Sequence, residues 1–133
     1  MRGRSAYAAS KGALNGYALS LAAELRRDAI GVNVLAPYAA TKMTAQPGQE
    51  PDPLLAPEGA AEACAWLASA ECGRTGEIWV AGAGHVRAAR AMESATMRFS
   101  PDALSALAAM PEPLGYQGGE AAFADFYQDI TGE

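Results

Sequence analysis

Histidine, cysteine and positive charge are all scarce in this chain, and each shortage removes a class of chemistry. One histidine, His85, and two cysteines, Cys64 and Cys72, among 133 residues match neither the spacing of a zinc site nor a secreted disulfide framework. No metal is expected, and both thiols should be free in a reducing compartment, the cytoplasm. Ten Lys and Arg stand against 15 Asp and Glu, a formal charge of −5, so no broad basic field exists to hold nucleic acid or an anionic membrane. No stretch approaches the roughly 18 apolar residues of a membrane span, and Met1 to Ser10 lacks the apolar segment of a signal peptide. A dinucleotide-binding glycine cluster is missing as well. Gly82 and Gly84 follow the last apolar run and open no helix, so they do not form a phosphate loop.

Half of the residues are hydrophobic and 19% are charged, which suits one ordinary globular core. Tyr7, Lys11, Leu14, Ala18, Leu21 and Leu25 recur at alternating spacings of four and three, predicting a helix over Ser5–Asp28 that Gly31 stops. Val32, Asn33, Val34, Leu35 and Ala36 follow as a short β-branched run ending at Pro37, the pattern of a buried strand over Gly31–Ala36. From Tyr38 to Pro57, prolines at 47, 51, 53 and 57 rule out a continuous helix, and a connector this long is commonly functional. Pro57, Glu58 and Gly59 open a second helix through Trp66, Leu67 and Ala70. Gly76 to Gly82, with Ile78, Trp79 and Val80, reads as a second strand, parallel to the first because a helix crosses between them.

Beyond Gly84 the pattern is weaker. His85–Met97 fits either an alanine-rich helix or an edge strand with Val86 and Ala88 alternating against Arg87 and Arg90. Ser100, Pro101 and Asp102 begin a helix carrying Leu104, Leu107 and Met110, and Phe123, Phe126, Tyr127 and Ile130 share one face of a final helix, the spacing of ordinary packing. The expected division is residues 1–84, an α/β unit, and 85–133, a mostly helical extension.

Tyr7 and Lys11 lie four residues apart at the start of the long helix, about 40° apart around its axis, so both can act on the same atom. A phenol, with an ordinary pKa near 10, is a poor base at neutral pH, and a neighbouring ammonium favours the phenolate. A tyrosine so placed becomes a usable proton donor or acceptor. A lone Y-x-x-x-K is nevertheless common on amphipathic helices, so its context decides.

That context is Tyr7-Ala8-Ala9-Ser10-Lys11-Gly12-Ala13-Leu14, then Val32-Asn33-Val34-Leu35-Ala36-Pro37, then Pro57-Glu58-Gly59-Ala60-Ala61, Trp66-Leu67-Ala68-Ser69 and Thr75-Gly76-Glu77-Ile78. In this order, from Ser5 to Gly84, the blocks resemble the C-terminal half of the short-chain dehydrogenase/reductase family. The resemblance implies the second half of a Rossmann-like doubly wound parallel sheet, NAD or NADP as cofactor, and hydride transfer between nicotinamide and a carbonyl or secondary alcohol. It implies Tyr7 as catalytic acid/base, and Lys11 as the partner that assists the tyrosine and holds the nicotinamide ribose. Pro37, Tyr38, Ala39 and Thr41 fall on the loop that follows the cofactor's carboxamide. The family commonly has Pro-Gly where Pro37-Tyr38 stands here. Pro37 to Thr44, the Val80-Ala81-Gly82-Ala83-Gly84 ending and the long tail are closer to the branch typified by the dehydrogenase part of the peroxisomal multifunctional β-oxidation enzyme, which implies a 3-hydroxyacyl-CoA substrate.

The family's catalytic serine lies well upstream of its tyrosine, so Ser5 is not that residue, and Asn15 and Asn33 match no relay position. The chain reads as a piece of such an oxidoreductase, inactive by itself. The alternative is a non-catalytic assembly module, since the family uses its long helix and last strand for contacts between copies. A homo-oligomer is expected on either reading.

Overall fold

The computed structural model describes residues 3–42, 44, 45, 48–108, 113–116 and 119–132. Arg2, Met43, Pro47 and Met110, which the sequence reading used, lie outside them. Contacts divide the chain into Met1–Ala89 and Arg90–Glu133.

The first unit opens with helix α1, Ser5–Glu24, which tightens into a 3₁₀ turn over Leu25–Asp28. The helix ends earlier than Gly31: Ala29 takes the left-handed conformation at φ 55° and returns its N–H to the Leu25 carbonyl, the bond with which a left-handed residue closes a helix. Strand β1, Val34–Pro37, follows, and a 3₁₀ turn at Pro53–Leu55 is capped by the Asp52 side chain. Helix α2 runs from Glu58 to Leu67, with Pro57 just before it and Glu58 in the first turn where an acid is favoured. Strand β2, Ile78–Gly82, then pairs parallel to β1, in the register Val34 to Ile78 through Pro37 to Ala81. The helix-crossed parallel pair is therefore present as expected.

The segment left open between helix and edge strand holds strand at His85–Ala89 and Met92–Glu93 and no helix. Ala83 and Gly84, at φ 50° and 70°, form a two-residue hairpin of the kind whose twist matches flanking strands. Strand β3, His85–Ala89, runs back antiparallel along β2. The sheet thus has three strands in the order β1-β2-β3, one more than the two core strands expected. β2 lies in the middle, and its Ala81 is only 1% exposed.

In the second unit β4, Met92–Glu93, pairs antiparallel with β5, Leu114–Gly115. Helix α3, Pro101–Leu107, begins as expected: the Ser100 side chain accepts the Ala103 N–H and proline occupies the first turn. Helix α4 spans Gly119–Thr131. Its Phe123, Phe126, Tyr127 and Ile130 are each about half exposed or more, so the stripe expected to pack remains largely open. The Phe123 and Tyr127 rings pair at 6.1 Å between centroids.

Candidate active site

Tyr7 and Lys11 are carried by the first two turns of α1. Ala8 N–H bonds the Arg4 carbonyl, and the Ser10 hydroxyl donates to the Tyr7 carbonyl at 2.7 Å, so the backbone beneath both side chains is regular helix. The four-residue spacing brings them together: the Lys11 ammonium stands 5.5 Å from the centre of the Tyr7 ring, within cation–π distance. Both side chains are exposed, Tyr7 to 64%. In the structure Leu14 and Tyr17 are also more than half exposed, and α1 is covered only near Ala22. Among the described residues, nothing buries the apolar face of its first three turns.

The loop after β1 is built from different partners. Tyr38 N–H donates to the Ala81 carbonyl at 2.7 Å and Ala40 N–H to the Leu55 carbonyl at 2.7 Å. Thr41 and Thr44 close a turn: the Thr41 N–H donates to the Thr44 hydroxyl at 2.8 Å, and the amides of Thr44 and Ala45 both reach the Thr41 carbonyl at 2.9 Å. Tyr38 itself points outward, largely exposed. Among the described residues the Ala39 amide and the Thr41 hydroxyl make no hydrogen bond, so both can meet a ligand. No hydrogen bond, ion pair or ring contact among the described residues joins this loop to Tyr7 or Lys11. The Tyr7–Lys11 pair and the loop after β1 lie on separate elements.

Two features escaped the sequence reading. Gly82, read there as the end of the second strand and not as a phosphate loop, lies directly beneath Tyr38. A Cβ at position 82 would come within 2.7 Å of the Tyr38 carbonyl oxygen and 2.9 Å of its Cβ, so the loop can cross the end of β2 only over a glycine. Its signal was the side chain at Tyr38, where the resembling family usually has glycine, so the small residue sits on the facing strand instead. The second feature is a clamp across the start of the sheet. Asn33 donates its side-chain amide to the Arg74 carbonyl at 2.8 Å and accepts the Glu77 N–H at 3.3 Å. Val32 N–H donates to the Thr75 hydroxyl at 3.1 Å. Arg74 grips Glu77 with two hydrogen bonds, at 2.5 and 2.7 Å, and lies 5.0 Å from the centre of the Trp79 ring. The Glu77 carboxylate, through that hydrogen bond and its charge, holds the Arg74 guanidinium above its ordinary pKa. Asn33 matched no relay position, and the structure gives it this structural work.

Residues 1–52, which hold α1, β1 and the loop, match the family model described as short chain dehydrogenase. A solved structure, that of a short chain dehydrogenase from Mycobacterium avium, is similar with a TM-score of 0.58 at 31% sequence identity, covering 77% of this chain and 37% of its own. The chain therefore spans little more than a third of that structure's length. No curated protein matches the chain. Among the described residues no group of three or more His, Cys, Asp or Glu is placed to hold a metal, and no helix is long and apolar enough to cross a membrane. The mixed sheet with its helical C-terminal region corresponds to part of a Rossmann-like fold, and the sequence match and the structural likeness together support the short-chain dehydrogenase family for this chain.

Proposed function

We propose that this chain carries the proton-transfer half of an NAD(P)-dependent short-chain oxidoreductase and, without a dinucleotide-binding half, does not catalyse. The observation that carries the reading is the Tyr7–Lys11 pair: a phenol and an ammonium held together on one regular helix, in the part of the chain that matches the family.

The donors present suit one end of the cofactor. Lys11 has no ion-pair partner among the described residues and can hold ribose hydroxyls, while the Ala39 amide and the Thr41 hydroxyl can meet the carboxamide. The other end finds nothing comparable. The Ala83–Gly84 turn joins two antiparallel strands and does not lead into a helix, so it offers no helix N-terminus to a pyrophosphate. Bound nicotinamide supplies or accepts the hydride at the substrate carbon. Tyr7 exchanges the matching proton with the substrate oxygen, giving it when a carbonyl is reduced and taking it when an alcohol is oxidised. Lys11 keeps the phenol's surroundings positive while that proton moves.

The substrate class we favour is a 3-hydroxyacyl-CoA, supported by the Pro37–Thr44 loop and by the long chain beyond Gly84. The two free thiols, Cys64 and Cys72, suit a reducing compartment, which we take to be the cytoplasm, and the open faces of α1 and α4 suit assembly into a homo-oligomer. The same open faces support the second reading, a non-catalytic assembly module, which predicts association without any requirement for Tyr7.

The test joins the chain to a dinucleotide-binding half from a short-chain dehydrogenase and follows NAD(P)H absorbance with a short 3-hydroxyacyl-CoA. Tyr7→Phe should lower kcat by about 10² to 10⁴. Unchanged turnover in that variant would show that Tyr7 is not catalytic, and association of the joined chain without cofactor binding or turnover would favour the assembly module.

A further inference from the structure

Two helices leave an apolar face open, and the chain around them carries opposite charge. On α4, Phe123, Phe126, Tyr127 and Ile130 recur at spacings of three and four and are between 48% and 66% exposed, with the Phe123 and Tyr127 rings paired. This is the anchor pattern of a helix that seats its apolar face on another surface. On α1, Tyr7, Leu14 and Tyr17 are between 52% and 65% exposed, and Lys11 lies in the same stripe beside the Tyr7 ring.

Residues 99–133 hold six Asp and Glu and no Lys or Arg, whereas residues 1–23 hold three Lys and Arg and no Asp or Glu. Asp125 is occupied by the Tyr116 hydroxyl at 2.5 Å. Asp129, three residues on from Phe126 at the flank of the stripe, is exposed and makes no hydrogen bond or ion pair among the described residues. Lys11 and Arg4 are exposed on α1 and its first turn, also without an ion pair among the described residues. These charges decide which faces suit each other. Two α4 faces would set acid against acid, and two α1 faces base against base, and like charges brought together oppose association. An α4 face on an α1 face removes both apolar stripes from water and joins opposite charges. Tyr7 to Tyr17 runs about 15 Å along its helix and Phe123 to Ile130 about 10 Å, so one stripe can cover most of the other.

We propose that α4 of one copy docks on the first turns of α1 of a second copy, laying Phe123, Phe126, Tyr127 and Ile130 over Tyr7, Leu14 and Tyr17, with its acidic flank towards Lys11. The docked helix covers the Tyr7–Lys11 pair. This inference rests on the homo-oligomer of the proposed function and not on its chemistry, so it stands whether or not Tyr7 is catalytic.

Sedimentation of the full chain at about 0.05 M and 0.5 M salt tests the pairing, with circular dichroism checking the fold of each variant. Association should weaken severalfold at the higher salt. Phe123→Ser should weaken it about tenfold or more. Lys11→Glu and Asp129→Lys should each weaken it about fivefold, and the chain carrying both reversals should recover most of that loss. All three side chains are exposed, so none of these changes removes packing within the chain. Nitration with tetranitromethane should slow at Tyr7 and Tyr17 as the chain associates and stay unchanged at the exposed Tyr38. A chain that stays monomeric at about 0.5 mM would overturn the proposal and the homo-oligomer together. Association lost in Phe123→Ser but untouched by Lys11→Glu would assign the stripe to a second α4, and association indifferent to all three changes would place the interface elsewhere. Either result overturns the α1–α4 pairing while leaving the homo-oligomer in place.

Discussion

The first turns of α1 and the middle of β2 are both apolar in sequence, yet they stand in opposite environments. β2 is paired on both edges, and Ala81 is shut away within it. Tyr7, Leu14 and Tyr17 on α1 all face solvent. Sheet residues are fixed by neighbours that the chain itself supplies, through strand pairing and the Asn33–Arg74–Glu77 clamp. The helix carries the Tyr7–Lys11 pair on a face that the described residues do not cover. On the proposed function, folding information and reaction chemistry lie in different places. A substitution in the sheet should be felt as stability, and one at Tyr7 as chemistry once the facing half is present.

The largest stability effect should come from Gly82→Ala. The new methyl meets the Tyr38 carbonyl at less than contact distance, so either the loop or the end of β2 must shift, costing about 1–3 kcal/mol. Urea unfolding reads this directly, and an unchanged midpoint would mean that the loop yields without cost. A smaller effect belongs to the second unit and is set by pH. The Tyr116 pKa is raised from 10.0 to about 12, chiefly by its hydrogen bond to Asp125. Its contribution to stability is then fully present below pH 10, the unfolded value, and is lost as pH rises through about 12. Absorbance of ionised tyrosine should show one phenol titrating near pH 12, and Asp125→Asn should bring it back towards 10. The smallest effect is expected for Tyr7→Phe in the chain alone. The ring is exposed and its hydroxyl makes no hydrogen bond among the described residues, so stability should change by less than about 0.5 kcal/mol. A larger loss would show that α1 is covered in solution and would break the contrast between the two regions.

Much of the first unit was legible because local patterns coincided with the contacts that fix them. The α1 stripe, the β-branched run at Val32–Ala36 and the Pro57–Glu58 helix start each occur where the structure has a helix or a strand, and the parallel pairing followed from the helix between the strands. β3 was only half legible. Val86 and Ala88 alternate as an edge strand does, but Ala83 adopting positive φ beside Gly84 is a tertiary outcome that an alanine does not announce. For α1 the limit is different: periodicity identifies an apolar face and says nothing about whether something covers it. Tyr7 and Lys11 are proposed from their spacing and context, and Ala39 and Thr41 only from family resemblance. Gly82 and the Asn33 clamp depend on contacts some 40 residues apart in the chain, between Asn33 and Arg74 or Tyr38 and Gly82, and no local pattern marks such pairs.

The division of labour proposed for this chain is tested most directly by calorimetric titration of the 133-residue protein with NAD and with NADP. On the proposed reading Lys11, Ala39 and Thr41 meet the nicotinamide end, but among the described residues no glycine-rich strand-to-helix turn is present to hold the pyrophosphate, so neither cofactor should bind at micromolar concentration. Micromolar binding of either cofactor, weakened by Lys11→Ala, would contradict the account by showing that the chain holds the whole cofactor with residues the proposal leaves out.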